Sequence, residues 1–350
     1  MKISKIPGLG NYGHYVDDVD FNILTHEEWI EIGKLNLKGL VTILRNVNIT
    51  KDQYLERITN FGPLQSTMRA YIVKKYGHDF DALNEDSYKE FSNEEKAFFK
   101  NKKYFYEKTE KGTTLTRVSG KLDTEGNPTG LFSNGDLHWH SNESSFVAFA
   151  PCVSLLGGVN MVGSCTGFLQ TADYYESLSD SFRSELDEMV LIHAYRLGGV
   201  NEREKEDPSF ERDIKMSMCP QDGAETPLVI TSPGGIKGFR YTMNTASGIK
   251  GMSKSDSDKI FAELDKHLIN STNVFDHWYQ QDNDLLLFDN SITQHRRLGG
   301  HPDRVAYRYQ YYPKNIMDSQ WQPYDNPLYA EEYYKTQREI DQIREQIVGY

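Results

Sequence analysis

Residues 304–312 read Arg304-Val-Ala-Tyr-Arg308-Tyr-Gln-Tyr-Tyr312, an alternation suited to an extended chain. Side chains of a strand point alternately to its two faces. Arg304, Ala306, Arg308 and Gln310 therefore share one face, and Val305, Tyr307, Tyr309 and Tyr311 share the other. Upstream, Leu285-Leu-Leu-Phe288 is a short apolar run of buried-strand type. Between the two runs lies Asp289-Asn-Ser-Ile-Thr-Gln-His295-Arg. Two guanidiniums aimed into a protein interior cost free energy unless anions meet them. A pair of arginines on a solvated edge strand is the plainer alternative.

Outward from this stretch, the same short-strand character recurs. Leu115-Thr-Arg-Val-Ser119, Cys152-Val-Ser-Leu-Leu156 and Thr166-Gly-Phe-Leu169 are strand candidates. Leu228-Val-Ile-Thr231 and Gly238-Phe-Arg-Tyr241 suit a hairpin around Ser232-Pro-Gly-Gly235. Thr25-His-Glu-Glu28 is a capping box that predicts a helix through about residue 35, followed by a strand within Gly39-Leu-Val-Thr-Ile-Leu-Arg45. Thr50-Lys-Asp-Gln53 is a second capping box, whose helix should stop near Phe61-Gly-Pro-Leu64. Further helices are expected over 172–178, 181–189 and 254–268, with a charged C-terminal helix over 330–348. Residues 67–115 are dense in charge and poor in aliphatic side chains, so they read as an insertion or lid without a core of its own. Many short strands with helices mostly at the ends predict a single α+β domain over 1–350, built on a barrel or sandwich with helical flanks.

Composition narrows the function. The 350 residues carry 39 Lys+Arg against 51 Asp+Glu, a net charge of −12, and such acidity disfavours nucleic-acid binding. No apolar run reaches bilayer length, so no membrane partner is expected. The opening MKISKIPGLGNYGHY lacks the apolar block of a signal peptide, which makes the cytoplasm the expected location. Cys152, Cys165 and Cys219 show no CxxC spacing. They argue against a disulfide framework or a structural zinc and are expected as buried thiols. The 22 tyrosines, several in strand runs, fit a β-rich core with polar tips reaching a cavity.

Two of the ten histidines lie in segments of unusual composition: Asp136-Leu-His-Trp-His140-Ser-Asn-Glu143 and the run ending at His295. Imidazole is a good ligand for Fe(II), Zn or Cu. Two distant histidines with a carboxylate near the first form the facial triad of non-haem Fe(II) oxygenases, which leaves three positions open. A histidine beside a tryptophan, taken alone, is more often a packed or surface residue. The arginine pair shifts that balance, because a dianionic co-substrate such as 2-oxoglutarate would satisfy it.

With these segments in this order, the chain resembles the taurine/2,4-D dioxygenase (TauD/TfdA-like) family and, more distantly, the clavaminate synthase-like enzymes. Gly39–Arg45 and Phe61-Gly-Pro-Leu64 resemble the family's N-terminal signature, and Gly135-Asp-Leu-His-Trp-His140-Ser its first iron-ligand segment. Gly163-Ser-Cys-Thr166-Gly-Phe is similar to its Gly-Gly-Asp-Thr turn, and Ala172-Asp-Tyr-Tyr-Glu-Ser-Leu178 to the helix that follows. Asp289-Asn290 through His295, then Arg304 and Arg308, resemble its C-terminal signature. The likeness spans about residues 35–312.

The resemblance implies a double-stranded β-helix (jelly-roll) core with flanking helices. It also implies an Fe(II)/2-oxoglutarate-dependent dioxygenase that consumes O2, releases succinate and CO2, and hydroxylates a small substrate. Carried over by position, His140 and His295 would be the iron ligands at the catalytic centre. Thr166 would hydrogen-bond the distal carboxylate of 2-oxoglutarate, and Arg304 would form its ion pair. Arg308 would lie near the co-substrate and an anionic substrate, with Asp136 and His138 as further candidate substrate contacts. Relatives often form homo-oligomers.

One position departs from the family. Its His-x-Asp or His-x-Glu is here His140-Ser141-Asn142. Asn142 could sit in the ligand position on the strand face of His140. Glu143 could supply the carboxylate if a β-bulge turned it inward. A halide could fill the place, as in related iron halogenases with a small residue there. A catalytically silent small-molecule-binding relative is the reading from another class.

Overall fold

Both capping boxes form. Thr25 accepts a hydrogen bond from the Glu28 N–H while Glu28 accepts from that of Thr25. Thr50 and Gln53 do the same. Each pair satisfies backbone donors that a helix start leaves open. In the computed structural model the described residues are 1–64, 106–108, 114–132, 135–144, 149–194, 224–270, 272–318 and 321, with single helical positions at 93 and 342. The expected C-terminal helix over 330–348 (all but one position), most of the charged insertion and Cys219 lie outside them.

In chain order the strands are β1 (Lys2–Lys5), β2 (His14–Asp17), β3 (Val41–Leu44), β4 (Tyr106–Lys108), β5 (Thr114–Ser119), β6 (Leu137–His140), β7 (Cys152–Val159), β8 (Ser164–Gln170), β9 (Val190–His193), β10 (Ala224–Pro227), β11 (Val229–Thr231), β12 (Lys237–Phe239), β13 (Ala246–Ile249), β14 (Val274–Trp278), β15 (Leu285–Asp289), β16 (Thr293–Gly299) and β17 (Val305–Tyr311). Helices placed wholly within the described residues are α1 (His26–Gly39), α2 (Lys51–Thr59), α3 (Ala172–Ser177), α4 (Asp180–Asp187) and α5 (Lys254–Leu268). Eight strands form a major sheet, β1-β2-β3-β15-β7-β17-β5-β4, and four form a minor sheet, β14-β8-β16-β6. Two small sheets, β10-β9-β13 and β11-β12, complete a mixed α+β architecture.

Side-chain parity decides the layers. In β15, Leu285 and Leu287 pack with Trp29 and Ile32 of α1 and Tyr54 and Ile58 of α2. Leu286 and Phe288 point the other way, into a core shared with Phe168 of the minor sheet. The strand is apolar throughout because it is buried on both faces. β17 follows the alternation read from its sequence: Tyr309 and Tyr311 join the helix-covered layer, and Ala306 joins the core between the sheets. A second core of Trp139, Leu169, Leu191, Phe239 and Phe261 covers the outer face of the minor sheet with α3, α4 and α5.

The expected boundaries need two adjustments. α1 runs to Gly39, beyond its expected end. Residues 106–108 and 114–115, assigned to the insertion, are strand residues at the edge of the major sheet. Cys152 and Cys165 are buried free thiols. Among the described residues no helix is long and apolar enough to cross a membrane.

Leu287 is fully buried between the major sheet and its helices, whereas Trp278 is 46% exposed. Leu287→Ala is expected to lower stability by about 3 kcal/mol, transfer loss and cavity together. Trp278→Ala should lower it by about 1 kcal/mol or less. Urea unfolding of both variants checks the layer assignment, and equal losses would contradict it.

Candidate functional site

The site is built on β16. Opposite His295 stand Phe168 in β8 on one side and His140 in β6 on the other. The two imidazole centroids are 4.2 Å apart and tilted by 48°. Imidazoles bound cis to one metal ion at about 2.1 Å put their ring centres roughly 4.5 Å apart, so the pair fits a shared ion. The Nδ1–H of His140 donates to the carbonyl of His138 at 2.7 Å. A carbonyl can only accept, so the lone pair of this ring lies on Nε2. Burial pulls the His140 pKa down to about 4, and the charges of Arg308 and Arg297 add to this while the His138 carbonyl opposes it. Burial holds His295 well below the usual histidine range, helped by His140 and Arg308. Both rings are thus neutral near pH 7, the form that binds metals.

The backbone around His140 differs from the strand-face expectation. His295 faces His140, but Arg297 faces Leu137. Two residues of β6, His138 and Trp139, therefore stand opposite the single Arg296 of β16, which is a bulge. It precedes His140, whereas a Glu143 ligand would require one after it. β6 ends at His140, and Asn142–Ser144 is a turn with Glu143 in the left-handed region at φ 58°. Asn142 and His140 are consequently not neighbours on one strand face, nor are His138 and His140.

Asn290 ties this turn down. Its Oδ1 accepts from the Asn142 N–H at 2.8 Å, and its Nδ2 donates to the carbonyls of Asn142 and Ala150 at 2.9 and 2.7 Å. The adjacent Asp289 is buried and accepts from the backbone N–H groups of Ser291 and Ile292 and the Ser291 hydroxyl. Burial still raises its carboxyl to about 6.

The Asn142 side chain is 7% exposed. Its Oδ1 accepts from Arg308 Nη1 at 3.4 Å, and its buried Nδ2 has no partner among the described residues. Glu143 Oε2 instead accepts from the Ala150 N–H at 3.3 Å. Among the described residues no third His, Cys, Asp or Glu joins the two imidazoles in a metal-binding group.

Beyond the rings, the same face continues with Thr166 of β8 opposite Arg297 of β16. The Thr166 hydroxyl lies 3.3 Å from that of Tyr279. Arg304 is 5% exposed, and its guanidinium donates to the carbonyls of His301 and Phe132. Glycine at 120 and 300 makes room for it: a Cβ would come within 2.5 Å of Arg304 Nη1 at Gly120 and 3.0 Å of Arg304 Cδ at Gly300. Arg308 lies over the Phe132 ring at 5.8 Å. Asp136 is exposed and accepts from the Gly299 N–H at 2.9 Å, and His138 is exposed.

The structure thus gathers His140, His295, Asn142 and Arg308, and sets Thr166 farther along the same face. Arg304 stands beyond it near Ser164, while Asp136 and His138 stay at the surface. Sequence reasoning overlooked Arg297 and named Asn290 only as part of the C-terminal signature, without a role. The signal for Arg297 was its parity with His295, two residues away on one strand.

The chain matches the family described as taurine catabolism dioxygenase TauD, TfdA family over residues 5–310. An alkylsulfatase of Acinetobacter baylyi is 27% identical over 170 residues, 47% of this chain and 53% of that protein, so the chain spans about half of that relative's length. The alpha-ketoglutarate-dependent 2,4-dichlorophenoxyacetate dioxygenase of Cupriavidus pinatubonensis is 25% identical over 289 residues, 80% of this chain and 87% of that one. The crystal structure of AAD-2 in complex with Mn(II) and N-oxalylglycine shares the fold, with a TM-score of 0.60 at 20% identity over 89% of this chain and 97% of that one.

Asn290→Ala removes the partners of three buried backbone groups and is expected to lower stability by about 3 kcal/mol. A denaturant midpoint close to wild type would contradict the clasp. The Asp289 carboxyl binds its proton more tightly folded than unfolded, so its contribution makes stability fall as pH rises from about 4 to about 6. Asp289→Asn should flatten that part of the stability curve, measured as unfolding free energy against pH.

Proposed function

The chain belongs to the taurine catabolism dioxygenase TauD, TfdA family, 2-oxoglutarate-dependent dioxygenases that use Fe(II), and on that premise we propose that it hydroxylates a small anionic molecule at an iron held by His140 and His295. The observation that carries the reading is the pairing of two neutral imidazoles 4.2 Å apart across β6 and β16. The paired sheets are read as a double-stranded β-helix. With iron and 2-oxoglutarate bound, O2 would be the oxidant, one oxygen atom passing to succinate as CO2 leaves and the other to the substrate hydroxyl.

The protein's own contributions are placement and charge. The His138 carbonyl holds the His140 ring with Nε2 ready to bind. Thr166 and Arg304 anchor the distal carboxylate of the keto acid, which orients it before reaction. Arg308, on the inner face of β17, offers a cation to a carboxylate, sulfate or sulfonate on the substrate. The 2,4-dichlorophenoxyacetate named for one relative is such an anion. Asn142 takes the third protein position in preference to Glu143, whose carboxylate is held by the Ala150 N–H. A second reading, halogenation with a halide in that position, is favoured by the buried Asn142 Nδ2, which has no protein acceptor among the described residues.

Anaerobic addition of Fe(II) and 2-oxoglutarate should give a visible charge-transfer absorption, and O2 should then yield succinate. His140→Ala or His295→Ala should weaken iron binding by more than the roughly 10–100-fold that loss of an outer partner brings. Wild-type protein that shows neither absorption nor succinate would sink the proposal. Asn142→Asp should tighten iron binding, whereas iron loss in Glu143→Gln alone would make Glu143 the ligand. A chloride-dependent spectral change would favour the second reading.

A further inference from the structure

We infer that Arg297 joins Arg304 in clasping the distal carboxylate of the keto-diacid, so that two guanidiniums select a dicarboxylate over a monocarboxylate. The inference rests on the reading above that 2-oxoglutarate is the co-substrate. It concerns a residue that neither the sequence motifs nor the family likeness singled out.

The strand register carries it first. Along β16 the inner face presents His295, Arg297 and Gly299, and their partners in β8 are Phe168, Thr166 and Ser164. Phe168 belongs to the core between the sheets, which identifies this face as the inner one. Arg297 and Thr166 therefore stand one pleat from the metal-binding ring. A two-residue pleat advances about 7 Å, and the carboxylate carbons of a five-carbon diacid lie about 5 Å apart. A keto acid held at His295 by one end therefore brings its other end level with Arg297 and Thr166.

Convergence of charge carries it next. Arg297 Nη1 and Arg304 Nη2 both donate to the Phe132 carbonyl, at 2.5 and 2.9 Å. Both side chains are buried, at 8% and 5% exposure. Two cations on one neutral oxygen repel each other where the dielectric is low, and an anion between them removes that repulsion. The Ser164 hydroxyl nearby is buried without a partner among the described residues. A Cβ at Gly300 would meet both Ser164 Oγ and Arg304, so the two are close neighbours. A carboxylate at this point would find two guanidiniums and two hydroxyls. Arg296, by contrast, faces outward, paired with Asp276 and stacked over Trp139.

Arg297 also donates to the Gly135 carbonyl, so a role limited to holding the segment before β6 is the alternative to exclude. The Fe(II) protein is titrated without O2 with 2-oxoglutarate and with 2-oxopentanoate, the same chain lacking the distal carboxylate. Arg297→Met should weaken 2-oxoglutarate by at least about tenfold while leaving 2-oxopentanoate within about twofold, so that the preference collapses. Arg297→Lys, which keeps the charge and protects against failure to fold, should restore part of the preference. Arg183→Met, on α4 and away from the inner face, should change neither affinity.

A parallel loss of both keto acids, with no rescue by lysine, would overturn the inference and leave Arg297 as a staple. Retention of the full preference in Arg297→Met would overturn it as well. Wild-type protein that binds neither keto acid would remove the co-substrate reading itself, a result distinct from both.

Discussion

The register of β16 is the constraint on which the site depends. A slip of one residue would send His295 and Arg297 to the outer face and Arg296 inward. Seven consecutive pairings with β8 oppose such a slip. On the outer face, Arg296 is locked to Asp276 of β14 across Gly167 of β8, where a Cβ would strike the Arg296 side chain at 2.7 Å. The glycine, the carboxylate and the Trp139 ring together leave one comfortable position for that guanidinium. An ion pair partly open to solvent contributes little stability, and its effect here is to specify which residues face the interior.

Among the described residues the carboxylates around this interior are already engaged, Asp284 by His277. Two neutral imidazoles, one amide and the cations Arg297, Arg304 and Arg308 face or flank the space between the sheets. The Asp289 carboxylate closest in sequence is consumed by its own turn, and Glu143 by the Ala150 N–H. A folded chain carries such an excess only at a free-energy penalty that an anionic ligand can offset. The backbone carbonyls of Phe132, Gly135 and His301 provide partial compensation, with Phe132 itself in the left-handed region at φ 64°.

Much of this was legible in the residues. The alternation over 304–312 assigned both faces of β17 correctly, because that strand is covered on each side by a different layer. The two capping boxes and the run at 285–288 were equally readable, since each depends on contacts within a few residues. β16 escaped notice: Thr-Gln-His-Arg-Arg-Leu-Gly has no apolar alternation, as its inner face lines a polar site. The left-handed Glu143 gave no local warning, because the conformation is imposed by Asn290, 147 residues further along the chain. The strand at 106–108 looked like part of an insertion because its only strand partner among the described residues is β5, a pairing that composition cannot reveal.

The extra residue in β6 has a consequence for how this part of the molecule can vary. His140 takes its position from β16 beside it and from the Asn290 tie just after it, not from the residues leading into β6. A bulge absorbs one unit of chain length, so a one-residue change in the run leading into β6 need not drag the imidazole along. The segment after His140 has no such slack. Substrate range should therefore diversify among relatives on the upstream side of this histidine, while the downstream side keeps its length.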